Sequence, residues 1–138
     1  MNRFFATTPS APSLHVGLLL LRVGVSALML THGLPKLMKV LAGNFAFGDP
    51  LGLGSGVSLV LAVVAEVGCS LLILLGAGTR LAALPLMFTM LVAALIAHAG
   101  DAFGKKELPL LYLLIYTVLL LAGGGKYSVD ALLNKRSR

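Results

Sequence analysis

Seven side chains in this sequence have the chemistry and spacing to handle protons or a polar ligand: Arg22, His32, Lys36, Glu66, His98, Tyr112 and Tyr116. Glu66 lies inside the uninterrupted apolar run of residues 57–75, and Arg22 interrupts an earlier one. A carboxylate or guanidinium at the centre of a bilayer costs roughly 2.5–3.5 kcal/mol even on insertion scales, so such groups face a bundle interior and find partners. The two histidines and the two tyrosines could supply donors and a proton path, and Glu66 could relay protons with Arg22 holding it ionised. Ordinary roles compete with each of these: a bundle-locking ion pair, histidines capping helix ends, and tyrosines packed as core.

The elements that must position these groups are four apolar stretches, residues 14–34, 57–77, 81–97 and 108–122. Each approaches the roughly 20 residues that span a hydrocarbon core of about 30 Å. The last two are short, which predicts extension by flanking residues or local thinning. The chain of 138 residues is 58% hydrophobic and 12% charged, against about 45–50% and about 25% in soluble domains. Alternation of period two is absent, which excludes a barrel. Backbone satisfaction in lipid then requires helices. The expected fold is all-α: an antiparallel bundle of four transmembrane helices, with a long loop between helices 1 and 2. Residues 1–13 read as a flexible tail, 14–130 as the membrane domain and 131–138 as a basic tail. Val25-Ser26-Ala27 resembles a signal cleavage site, but Arg22 breaks the preceding apolar run. The first stretch therefore reads as a retained helix.

Both termini fall on one side, with Arg3, Arg80, Lys126, Lys135, Arg136 and Arg138 against a single acid, Asp130. The other side carries Lys36, Lys39, Lys105 and Lys106, but also Asp49, Asp101 and Glu107. The positive-inside rule places the termini in the cytoplasm. The formal charge of +6 is scattered through loops and tails, not gathered with aromatics, which argues against nucleic acid. Counted from the terminal side, Arg22 lies roughly 12 Å deep and Glu66 roughly 16 Å. That offset predicts an Arg22–Glu66 ion pair, with His32 and His98 nearer the far end. Arg22, Met29 and Lys36 recur every seven residues on one face of helix 1. Gly17, Gly24 and Thr31 form the opposite face, expected against a neighbouring helix or, alternatively, a second copy in a homodimer. Residues 36–41 mix basic and apolar types as a helix extension would. Residues 43–56 read as an irregular loop, and Pro109 suits the first turn of helix 4.

Nucleotide-binding loops, an HExxH zinc motif, a Gly-x-Ser-x-Gly elbow and a cysteine cluster are all absent. The single cysteine, Cys69, reads as an apolar core filler. Two histidines could ligate haem b, but only their depth supports this, so no intrinsic cofactor is expected.

The order of short motifs resembles the DoxX family. It runs through Leu20-Leu21-Arg22-Val23-Gly24, Thr31-His32-Gly33-Leu34-Pro35-Lys36-Leu37 and Ala65-Glu66-Val67-Gly68. It continues through residues 75–83, His98 and Glu107-Leu108-Pro109 to Gly125-Lys126-Tyr127-Ser128-Val129-Asp130. That family resembles the small membrane subunit of thiosulfate:quinone oxidoreductases and, in mycobacteria, a membrane partner in a thiol-redox complex. The resemblance implies a multi-pass protein of the bacterial inner membrane, with a bound quinone and partner redox subunits as its ligand and partners. It would be at most a membrane subunit of a quinone-linked oxidoreductase. A wider resemblance to four-helix proteins that bind sterol-like ligands implies a second reading. In that reading it is a non-catalytic binding or assembly protein holding an amphipathic lipid-like ligand.

Overall fold

A computed structural model describes residues 10–136, and their regular structure is entirely helical. Helix α1 spans Ala11–Leu41, with Ser10 as its N-cap and a proline in its first turn. It begins inside the segment expected to be a loose tail, because Ser10 Oγ accepts from the Ser13 N–H at 3.4 Å and fixes the first turn. Residues 1–9 lie outside the described residues. α1 runs through Pro35 to Leu41, so residues 36–41 are indeed a helix extension.

Helix α2 spans Ser55–Leu75 and α3 spans Thr79–Ala97. α4 is Phe103–Ala122 and the short α5 is Val129–Arg136. α1, α2 and α3 are long and apolar enough to cross a membrane, with mean hydropathies of 1.8, 2.5 and 2.0. α4 is a fourth helix of 20 residues whose first turns carry Lys105, Lys106 and Glu107. Its start at Phe103 puts Pro109 inside the helix, not in its first turn. There the ring supplies no N–H to the carbonyl of Lys105. Part of the segment assigned to a basic tail is likewise ordered, as α5.

α1 packs along α2, α3 packs along α4, and α2 touches α3. The core between them includes Val25, Met29, Ile73, Leu86, Tyr116 and Leu119. Large apolar side chains point outward from every long helix, among them Leu20, Leu81 and Leu121, the last two more than 70% exposed. Such a surface is stable only against lipid. Gly17, Gly24 and Thr31 also face outward, and a Cβ at either glycine would meet nothing within 4 Å. The small stripe therefore does not pack on a neighbouring helix of the chain. The Arg22–Met29 side of α1 faces the core instead, because it carries the groups that must leave the lipid.

The connections are built around two carboxylates. Asp49 Oδ1 accepts from Leu53 N–H (2.9 Å) and Ser58 Oγ (2.8 Å), and Oδ2 accepts from Gly54 N–H at 2.8 Å. It thereby caps α2, whose N-cap residue, Gly54, has no side chain to do so. Between α2 and α3, Gly76 closes the helix at φ 71°, with Gly76 N–H on Ile73 O and Ala77 N–H on Leu72 O. Asp130 then accepts from Gly78 N–H (2.7 Å) and Thr79 N–H (3.1 Å), tying α5 to the start of α3.

Candidate functional site

Glu66 sits in a π-helical stretch of α2, Val64–Cys69, and its side chain is 4% exposed. Its partner is Lys36, whose Nζ lies 2.5 Å from both carboxylate oxygens. The expected Arg22–Glu66 pair does not form. Arg22 is fully buried but donates to the carbonyls of Ile73 and Tyr127, at the C-terminal end of α2. Ten residues, about 15 Å of helix, separate Glu66 from Gly76, against which the guanidinium packs. Depths counted from the ends of the apolar stretches fail because α1 overshoots α2 on the terminal side. Its first turns are held by the loop before α5, where His15 Nδ1 accepts from Lys126 N–H at 3.3 Å.

Lys36 reaches Glu66 because α1 stays helical past Pro35 and because residue 33 is glycine. A Cβ there would stand 2.8 Å from Val67 Cγ2 and 3.0 Å from Glu66 Cβ. Only the bare glycine lets α1 approach α2 at the level of the carboxylate. The sequence motif contains Gly33, but nothing in its spacing marks it as the contact that seats the pair.

Around the pair opens a cavity of about 220 Å³, lined by residues of α1, α2, α3 and α4 and by His98 just beyond α3. His32, Lys36, Glu66, His98 and Tyr112 all face it, with Met29 and Met90 as apolar wall. The His32 and Tyr112 rings meet edge to face, centroids 5.9 Å apart, and Tyr112 stacks on Tyr116 at 6.2 Å. Five of the seven sequence candidates thus share one space. Tyr116 lies one turn further into the core, and Arg22 belongs to the other end.

Two residues assigned to the loops join the site. Asp101 Oδ2 lies 2.7 Å from His98 Nδ1, and its Oδ1 lies 3.5 Å from Lys105 Nζ. The His98 hydrogen bond, and after it the charge of Lys105, hold the Asp101 carboxyl below the usual carboxylate range. An ionised Asp101 accepting from Nδ1–H leaves Nε2 of His98 as the proton-accepting nitrogen. The i, i+3 spacing of His98 and Asp101 is the signal that could have found the pair. Both π-helical stretches border this cavity, Glu66 within one and His98 directly after the other, Ala93–Ala97. The His98 N–H bonds Ala93 O at 3.0 Å, five residues back. Such widened turns re-aim side chains and cluster at functional sites. The result is a part-buried ion pair, two imidazoles and a phenol around a space open to a small ligand.

The DoxX family model matches residues 17–99, more than half of the chain. "Inner membrane protein YqjF" of Escherichia coli is 33% identical over 125 residues, covering 88% of this chain and 95% of that protein. An uncharacterized protein of Haemophilus influenzae is 32% identical over 121 residues, covering 80% and 85%. No solved structure matches. With Arg22, His32, Lys36, Glu66 and His98 all inside the matched span, this membrane protein belongs to the DoxX family.

Proposed function

We propose that the protein is a four-span inner-membrane subunit, termini inside, that binds a quinone headgroup in the Glu66 cavity and works with partner redox subunits. The observation that carries this reading is the convergence of proton-exchanging groups from α1, α2, α4 and the turn after α3 on one cavity in an apolar bundle. The inner-membrane name of the Escherichia coli relative supports the location.

The lining suits such a ligand. Ring carbonyls need hydrogen-bond donors, which Lys36, His32 and Tyr112 supply, while Met29 and Met90 offer an apolar wall. A quinone, when bound, carries two electrons and two protons per cycle. His98, oriented by Asp101, accepts or returns a proton at Nε2. Glu66 holds the Lys36 ammonium toward the cavity and is itself able to take a proton from it. The electron donor lies outside this chain.

The second reading, a binding or assembly protein with no chemistry of its own, draws on the same ion pair. Lys36 and Glu66 already satisfy one another, as a bundle lock would. Mass spectrometry of lipids co-purifying with the protein separates the two. Quinone retained by the wild type and lost in Glu66→Gln supports the first reading. An extract without quinone, and no binding of added quinone, sinks it in favour of the second.

A further inference from the structure

Among the described residues, five buried side-chain polar atoms have no hydrogen-bond partner: Tyr116 Oη, Ser70 Oγ, Ser26 Oγ, Arg22 Nε and Thr79 Oγ1. All five residues are at most 1% exposed, so neither bulk water nor lipid headgroups reach them from outside. Unpaired polar atoms at that depth are rare in native interiors, and several together call for a shared partner.

The five are not scattered. Tyr116 lies one turn below Tyr112, whose ring lines the cavity, and Ser70 lies one turn below Glu66. The Tyr116 hydroxyl and Ser70 interact without forming a well-made hydrogen bond. Gly33 set against Glu66, and Arg22 set against Gly76, fix how α1 runs along α2. In that register Ser26 and Ser70 both fall between those two contacts, within about one helical turn of each other in height, and Arg22 lies one turn beyond Ser26. From Arg22 the line continues. Ser128 crowds the same face of Gly76 as the guanidinium, and Ser128 and Thr79 Oγ1 both pack against Gly124. Gly124 and Ser128 line a second cavity, of about 600 Å³, beside Arg80 and Asp130. In this register the five unpartnered groups lie in the interior between the two cavities.

We propose that these groups hold a file of internal water linking the Glu66 cavity to the cleft beside α5, and that Arg22 is the proton barrier in it. Water is the one partner small enough to pair with four hydroxyls and a guanidinium N–H in a packed interior. Hydroxyls and water pass protons by hopping, whichever side chains hold them. A fixed guanidinium keeps its charge and repels an approaching proton. Arg22 cannot swing aside, because the carbonyls of Ile73 and Tyr127 hold it. The Glu66 cavity would then exchange protons with one face of the membrane only, and the bundle would stay tight to leak. This does not depend on which ligand the cavity takes, and its failure would leave the quinone reading standing.

The test uses the full chain in liposomes loaded with a pH-sensitive dye, under an imposed potassium diffusion potential. Wild type is expected to be as tight as empty liposomes. Arg22→Gln, which removes the charge and keeps a polar amide, is expected to leak protons at least about tenfold faster. Adding Ser70→Ala and Tyr116→Phe is expected to return the leak to the wild-type level. Radiolytic labelling of the wild type in ¹⁸O-water reads the file directly, whether or not the variants fold. After correction for the intrinsically higher reactivity of a phenol, Tyr116 should oxidise faster than Leu119, which is equally buried. A folded, monodisperse Arg22→Gln protein that stays tight would overturn the proposal, as would Tyr116 labelling no faster than Leu119.

Discussion

The two ends of this helix bundle each bury a charge, and they treat it in opposite ways. At one end Arg22 has no acid within hydrogen-bond reach. Backbone carbonyls of Ile73 and Tyr127 take its protons, with Gly76 and Ser128 packed tight against it. The Ile73 carbonyl lies in the last turn of α2, where a cation is favoured, and the Tyr127 carbonyl in the loop before α5. At the other end Glu66 meets an ammonium on a long stem, beside a cavity also lined by His32, His98, Lys105 and Tyr112. A charge fixed by backbone is part of the scaffold. A charge paired to a side chain beside open space can change partner or protonation state. The Arg22 end is thus held by backbone, and the Glu66 end is the one with open space beside its charge.

Arg22→Ala should have the largest effect. It removes the clamp among α1, α2 and the loop before α5, and leaves a large void, so a loss of about 3–5 kcal/mol is expected. Thermal melting in detergent reads it. Arg22→Lys should recover only part, since an ammonium cannot span both carbonyls as a guanidinium does. Glu66→Gln strands Lys36 and should cost about 2–4 kcal/mol if the pair is as dry as Glu66. Lys36 is 25% exposed, which moves the expectation to the lower half of that range. The double variant Lys36→Met/Glu66→Gln should recover much of that stability while still failing to retain ligand. Equal melting and equal ligand retention in single and double variants would remove the distinction between the two ends.

Much of this design is legible in the amino-acid order. The length and polarity of the apolar stretches imply the membrane and the helices, and the 76–80 hairpin follows from its glycines. That His32, Lys36 and His98 fall near the same end of the bundle follows from depth. The partner of Glu66 does not. Vertical register depends on where α1 starts, and that start is set by Ser10 and by the loop that holds His15, not by hydropathy. Nor do the π-helical turns announce themselves, since no residue type demands one. Gly33 and Asp101 read only as a glycine and a loop acid. Their roles exist only once α1 meets α2 and the turn after α3 folds back.

Gly33→Ala probes the Glu66 end without touching a charge. The added methyl collides with Val67 and Glu66, so overpacking should cost about 1–3 kcal/mol. The Lys36–Glu66 pair should loosen with it, lowering ligand retention as well as the melting point. Asp130→Ala is its counterpart at the Arg22 end. Loss of the caps on Gly78 and Thr79 should cost about 0.5–2 kcal/mol. Ligand retention should be unchanged, and an altered value would mean that the two ends are not separable in this way.

The smallest effect expected lies outside the spans, in how the two loops on the Glu66 side respond to acid. Asp49 is held below the ordinary carboxylate range chiefly by the Ser58 hydroxyl, then by the Gly54 N–H. Asp101 is held there chiefly by His98. A carboxyl whose folded value is depressed stabilises the fold fully above its unfolded value, about 3.9, and that contribution fades as pH falls through the folded value. Both loops should therefore loosen below about pH 4. Hydrogen exchange of the Leu53 and Gly54 amides reads Asp49, and Asp49→Asn should flatten the acid response there without altering the cavity. Asp101→Asn should do the same for the turn after α3, but should also release His98 and weaken ligand retention at neutral pH. Acid sensitivity shared by both loops, with ligand retention tied to only one of them, would narrow the chemistry from the whole end of the bundle to the side on which His98 stands.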